Sequence, residues 1–184
     1  MYLPLRQLIL CLSVFILLGN GSTWAQISPV DARLQVQPPY SIFLSDYTSP
    51  ASDRLRLSLM LLDLTKSGLE VGLRFKLEAP GIRMATAPDY HGVPFYLDGG
   101  QQLMLEGHEL AEYFLPQHMV FQGMDVGQFI RNGTRLPEGF YRFSVEVYEY
   151  TRPGKVISRP NFTTVWISLG NPPLLSLPRC GSTI

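Results

Sequence analysis

The chain is poor in cysteine, carries no excess of either charge and has no apolar run long enough to cross a bilayer, and each of these absences closes off a class of function. Only two cysteines occur in 184 residues, Cys11 in the first apolar stretch and Cys180 near the other end. A disulfide framework therefore does not hold the fold, and a lone cysteine in an oxidising compartment points to an outside partner or further chain. Fifteen Lys and Arg balance fifteen Asp and Glu, so no basic stripe is expected for nucleic acid or anionic lipid. The longest apolar run, residues 8–18, holds 11 residues, well short of the roughly 20 that span a membrane. Internal repeats and low-complexity tracts are absent as well.

What is present starts with "MYLPLRQLILCLSVFILLGNGSTWAQ". One Arg6, the apolar run, a polar "GNGST" and the small pair Thr23 and Ala25 follow the order of a secretory signal peptide cleaved after Ala25. Cys11 lies inside the apolar run rather than at its end, which argues against lipid attachment there. Removal of the first 25 of 184 residues leaves 159, the size of one domain, which at roughly 150 residues buries about two-thirds of its unfolded surface. Residues 26–37 read as a lead-in, 38–170 as the domain and 171–184 as a Pro-rich exit.

The domain is written in period two. "RLRLSLMLLDL" sets Leu55, Leu57, Leu59 and Leu61 against Arg54, Arg56 and Ser58; "LEVGLRFKLEA" sets Leu69, Val71, Leu73, Phe75 and Leu77 against Glu70, Arg74, Lys76 and Glu78. The turn "TKSG" between them predicts a hairpin or neighbouring strands. "LPEGFYRFSVEVYEY" places Tyr141, Phe143, Val145 and Val147 on one side and Arg142, Ser144, Glu146 and Tyr148 on the other, and "NFTTVWISL" closes the pattern. Pro38, Pro39 and Pro50 restrict the lead-in to short extended pieces at 34–36 and 42–44. Between 79 and 139, Gly, Pro and Asp leave short strands at 82–85, 94–97 and 102–105, with helical turns in "GHELAEYF" and "MDVGQFIRNG". The expected fold is all-β, an immunoglobulin-like antiparallel β-sandwich with one or two short helical turns. Leu136, Gly139 and Tyr141 support it: L-x-x-G-x-Y at the start of a strand is similar to a tyrosine corner.

Residues that carry chemistry do not assemble into a recognisable motif. "GHELAEYF" clusters Glu106, His108, Glu109 and Glu112, but a zinc hydrolase needs a second histidine four after His108, where Glu112 stands. Asp89, Tyr90 and His91 are consecutive and so poorly placed to converge, and no serine or cysteine lies in a nucleophile elbow. "YLDGG", with Asp98, Gly99 and Gly100, lacks the ligand ladder of a calcium loop. Asp46, Asp53, Asp63, Asp89 and Asp98 are scattered, so no glycosidase pair is evident. No catalytic residue, metal site or cofactor is therefore expected. For binding, Tyr90, Phe95 and Tyr96, with Tyr113, Tyr148 and Tyr150, are candidates for a sugar-stacking platform, against the alternative that they pack around the rim. Asn132 and Asn161 each begin an N-x-[ST] sequon.

Taken together, "PPYSIFLSDY", "DRLRLSLMLLDL", "VGLRFKLEAPGI", "LDGGQQLMLEGHELAEYF", "LPEGFYRFSVEVYEY" and "NPPLLSLPRCG" resemble the TANFOR domain, a module near the N-terminus of large secreted or surface proteins of Gram-negative bacteria. The resemblance runs from Pro38 to Gly181. It implies an extracellular or cell-surface setting and an all-β module ahead of further domains, and it supplies no catalytic residues. In such a bacterial setting the two sequons read as coincidences at turns. The family pattern continues past "LPxCG", and some members carry a second cysteine where this chain has Phe162 or a neighbour; Cys180 is thus left unpaired in the mature chain. The expected role is a non-catalytic secreted or surface module for surface architecture or protein contact, with carbohydrate binding as the alternative. Its partners would be another surface protein or further domains of a longer chain, or a polysaccharide; no nucleic acid and no transmembrane helix are expected.

Overall fold

The period-two runs become the long strands of two antiparallel sheets in the computed structural model, which describes residues 28–168. The signal-peptide reading of 1–25, the exit at 171–184 and Cys180 lie outside the described residues. The small sheet has the order β1-β2-β6, from β1 (Val30–Val36), β2 (Leu55–Leu61) and β6 (Gln102–Glu106). The large sheet runs β10-β8-β3-β4-β7, built from β3 (Leu69–Ala79), β4 (Ile82–Thr86), β7 (Met119–Gln122), β8 (Gly139–Glu149) and β10 (Asn161–Ile167). Two short strands extend it: β5 (Phe95–Leu97) pairs with β3, and β9 (Arg152–Val156) with β8.

Alternation explains why the sheets close on each other. Leu55, Leu57, Leu59 and Leu61 of β2 join Leu73, Phe75 and Leu77 of β3 and Tyr141, Phe143, Val145 and Val147 of β8 in one buried cluster. The result is a β-sandwich, its two sheets sharing one apolar interior. Its edge is tied by β1 against the β9–β10 region: Val30 bridges Ser158, and the Leu34 amide donates to Asn161 Oδ1 at 2.8 Å.

Two expectations are corrected. β2 and β3 are neither a hairpin nor neighbours, because they belong to different sheets. The connecting loop finds its backbone partners in the turn at 98–100 instead: Gly99 donates to Lys66 O and Gly100 to Leu61 O, both at 2.8 Å, while Gly68 donates to Asp98 Oδ1 at 2.7 Å. Alternation states which face of a strand is buried, and strands facing each other across a core satisfy that as well as strands side by side. The piece at 42–44 is also not a strand. Phe43 makes a single bridge to Arg135, and Leu44–Tyr47 forms a 3-10 turn whose Tyr47 hydroxyl donates to Ser41 O at 2.8 Å.

The helical turns fall where the polar punctuation placed them. Gly107–Phe114 is a 3-10 helix with a capping box, in which the Glu106 amide donates to Glu109 Oε2 at 2.8 Å. α1 (Val126–Arg131) is capped by Asp125, whose Oδ1 accepts from the Gln128 amide at 2.9 Å. At the opening of β8 the buried Tyr141 donates its hydroxyl to Pro137 O at 3.1 Å, the bond of a tyrosine corner.

Candidate binding face

The loop aromatics form a clamp rather than a platform. Tyr90 stacks on His118 with ring centres 4.0 Å apart and meets Tyr113 edge-on at 5.5 Å. Phe95 and Tyr96 are adjacent in β5, so their side chains leave opposite faces; Phe95 packs against the core and Tyr96 stands exposed. Tyr113 and Tyr148 are buried, and Tyr150 donates to Gly92 O at 3.0 Å. These contacts hold down the 87–94 loop, and the candidates Tyr90, Phe95 and Tyr96 share no common surface.

Tyr148 shows how tightly that clamp is built. Its ring lies across Gly72, its cross-strand partner, where any Cβ would overlap it. The Arg74 guanidinium sits 4.6 Å from the ring centre, and the hydroxyl meets His91 Nδ1 at 3.2 Å. Burial pushes the Tyr148 phenol up, with Arg74 opposing, and pushes Tyr113 higher still, helped by Tyr148, Tyr90 and Tyr150. The Tyr113 hydroxyl has no hydrogen-bond partner among the described residues. Such groups stay neutral at ordinary pH and serve packing.

Most carboxylates and the histidines are likewise occupied locally, whereas Asp89 stands exposed with no side-chain partner among the described residues. Glu109 closes the capping box, and His108 faces Glu106 at 3.6 Å. Asp46 accepts from Ser41 and Arg54, Asp53 from Arg56, Asp63 from Thr65 and Asp98 from Gly68. Among the described residues no three His, Cys, Asp or Glu side chains gather as metal ligands, and no helix is long and apolar enough to cross a membrane. Of the sequon asparagines, Asn161 is engaged with Leu34, whereas Asn132 is exposed just after α1.

An assembled surface lies instead on the outer side of β8 and β10. Antiparallel register sets Trp166 beside Phe140, Thr164 beside Arg142 and Phe162 beside Ser144. The three rings remain 54% (Phe140), 52% (Phe162) and 53% (Trp166) exposed. Phe140 and Trp166 lie 5.9 Å apart, and the Arg142 guanidinium covers Phe162 at 3.8 Å. Toward β3 the rows continue as Arg142–Glu78 and Ser144–Lys76, then to β4 as Glu78–Arg83. Lys76 is paired with Glu146, and Arg83 with Glu78 at 3.7 Å. Arg142 has no carboxylate within ion-pair distance among the described residues.

These residues were readable in principle. If Tyr141, Phe143, Val165 and Ile167 point inward, Phe140, Phe162 and Trp166 must point out. The signal is an aromatic at the wrong parity, in two strands that only the register shows to be neighbours.

No protein-family model matches the chain, and no curated protein and no solved structure matches it either.

Proposed function

We propose that this chain is a non-catalytic interaction module of an exported or surface protein, working through the outer face of β8 and β10. The observation that carries this reading is the set of three half-exposed rings beside a guanidinium that has no carboxylate partner among the described residues, held on paired strands of a sandwich whose inner face is packed. Exposed aromatics and arginine are the side chains that contribute most at binding surfaces, and residues fixed on strands present them in a constant geometry. The signal-like N-terminus and the TANFOR resemblance support the extracellular setting. The local engagement of Asp46, Asp53, Asp63, Asp98, Glu109 and the histidines supports a role without catalysis; turnover of a glycan or peptide panel by the purified protein would overturn it.

The reading is tested by placing a photo-crosslinking residue at Thr164, in the middle of the face, and separately at the exposed Gln35 on the other sheet. Irradiation of source cells is expected to give a discrete adduct at 164 and none at 35. Adducts at neither position, or equally at both, contradict it. Carbohydrate binding is favoured as the form of this interaction by the alternation of rings with hydroxyl and charged groups along the face.

A further inference from the structure

We infer that the β8–β10 face binds a carboxylate-bearing polysaccharide, with Arg142 taking a sugar carboxylate and Phe162, Phe140 and Trp166 stacking on sugar rings. This rests on the reading of that face as the working surface. It is carried by three features of the face.

The first is charge. A depression of about 190 Å³ beside Phe162 is lined by three cations, Lys76, Arg83 and Arg142, and two carboxylates, Glu78 and Glu146. Lys76 and Arg83 take the two carboxylates, so Arg142 is left for an outside anion. Its central carbon lies 3.8 Å from the Phe162 ring centre, and a guanidinium that stacks on a ring through its flat face keeps its in-plane N–H groups for a forked bond to a carboxylate.

The second is extent. Phe162 and Trp166 are four residues apart on β10, a span of about 13 Å at the strand rise. An extended chain touches both rings, and a single small molecule does not. Between them stand Thr164 and its cross-strand partner Arg142, so apolar and hydrogen-bonding side chains alternate along the register.

The third feature separates a glycan from a protein. Cores of protein interfaces are depleted of Lys and Glu, yet Lys76, Glu78 and Glu146 adjoin Arg142 and Phe162 on the β3 side of this face. A protein that sealed the surface would desolvate these ion pairs. A polysaccharide remains hydrated, and its own hydroxyls and carboxylates meet the polar groups while its C–H faces cover the rings.

The test is retention of the protein on polygalacturonate, alginate and hyaluronan, with methyl-esterified polygalacturonate and dextran as uncharged counterparts. At least one acidic polymer is expected to bind, the uncharged ones at least tenfold more weakly, with binding falling as salt rises. Arg142→Gln and Trp166→Ala are each expected to lose at least tenfold in affinity, while Arg142→Lys, which keeps the charge without the fork, falls between. Equal binding of charged and uncharged polymers, or of Arg142→Gln and the parent, overturns the carboxylate assignment. Failure of all three acidic polymers overturns it too. An adduct at Thr164 with a protein would then leave the face standing as the interaction surface with a different class of partner; no adduct would remove the surface reading as well. Unchanged urea midpoints of the variants establish that lost retention is not lost folding.

Discussion

β8 presents two surfaces that differ in almost every respect. Inward, Tyr141, Phe143, Val145 and Val147 are at most 1% exposed and belong to the shared core. Outward, Phe140 and Arg142 are exposed and interact with β10 neighbours rather than with a second layer. The inner side stabilises by removing apolar area from water, at about 25 cal/mol per Å². The outer side leaves comparable side chains half in water, where they add little to folding and remain available to a partner. Tyr148 marks the change between the two regimes. It is an outward residue, yet the 87–94 loop and Arg74 cover it, so toward that end of β8 the outer face also turns into packing.

Substitutions on the two sides should separate accordingly. Phe143→Ala, on the inner side, is expected to cost about 3–5 kcal/mol in urea unfolding, the range for an aromatic truncated in a core. Gly72→Ala pushes a methyl group into the Tyr148 ring, and a loss of about 1–3 kcal/mol is expected for such overpacking. Tyr141→Phe removes the bond to Pro137 O and should cost about 1 kcal/mol.

The Tyr141 phenol is raised from 10.0 to about 12 by burial, and Tyr47 likewise. Ionisation is therefore easier in the unfolded chain, and the stability these groups supply, intact below pH 10, is lost as pH rises toward 12. Ultraviolet titration should show two phenols, those of Tyr141 and Tyr47, ionising near pH 12 rather than at 10.0, and only as the fold opens. The smallest effect is on the acid side. Lys155, and then Arg152, hold the Glu149 carboxylate down from 4.5 to about 2, so its contribution is present above 4.5 and fades as pH falls toward 2. Glu149→Gln should flatten that part of the acid titration of stability.

The strands with clean alternation, β2, β3 and β8, were legible because half-burial imposes period two on the chain itself. Their sheet membership was not, since β2 and β3 bury the same parity from opposite sheets. The short strands β7 and β9 escaped notice for another reason: "MVFQ" and "RPGKV" are too brief to show a period, and they exist through pairing with β4 and β8. Candidate aromatics chosen by loop position, Tyr90 and Tyr96 among them, proved to be part of a clamp or isolated. Those that share a surface come from two strands, Phe140 from β8 and Phe162 and Trp166 from β10, with Phe140 and Phe162 lying 22 positions apart and joined only by the β8–β10 register.

The central claim is that the outer rings of β8 and β10 serve recognition and not folding, and the urea unfolding free energy of a Phe140→Ser, Phe162→Ser, Trp166→Ser triple variant tests it most directly. A loss of at most about 2.5 kcal/mol is the result predicted, at about 0.5 kcal/mol for each surface position plus up to about 1 for the cross-strand aromatic pair. A loss as large as that of Phe143→Ala would show that the outer face holds the sandwich together, and would contradict it.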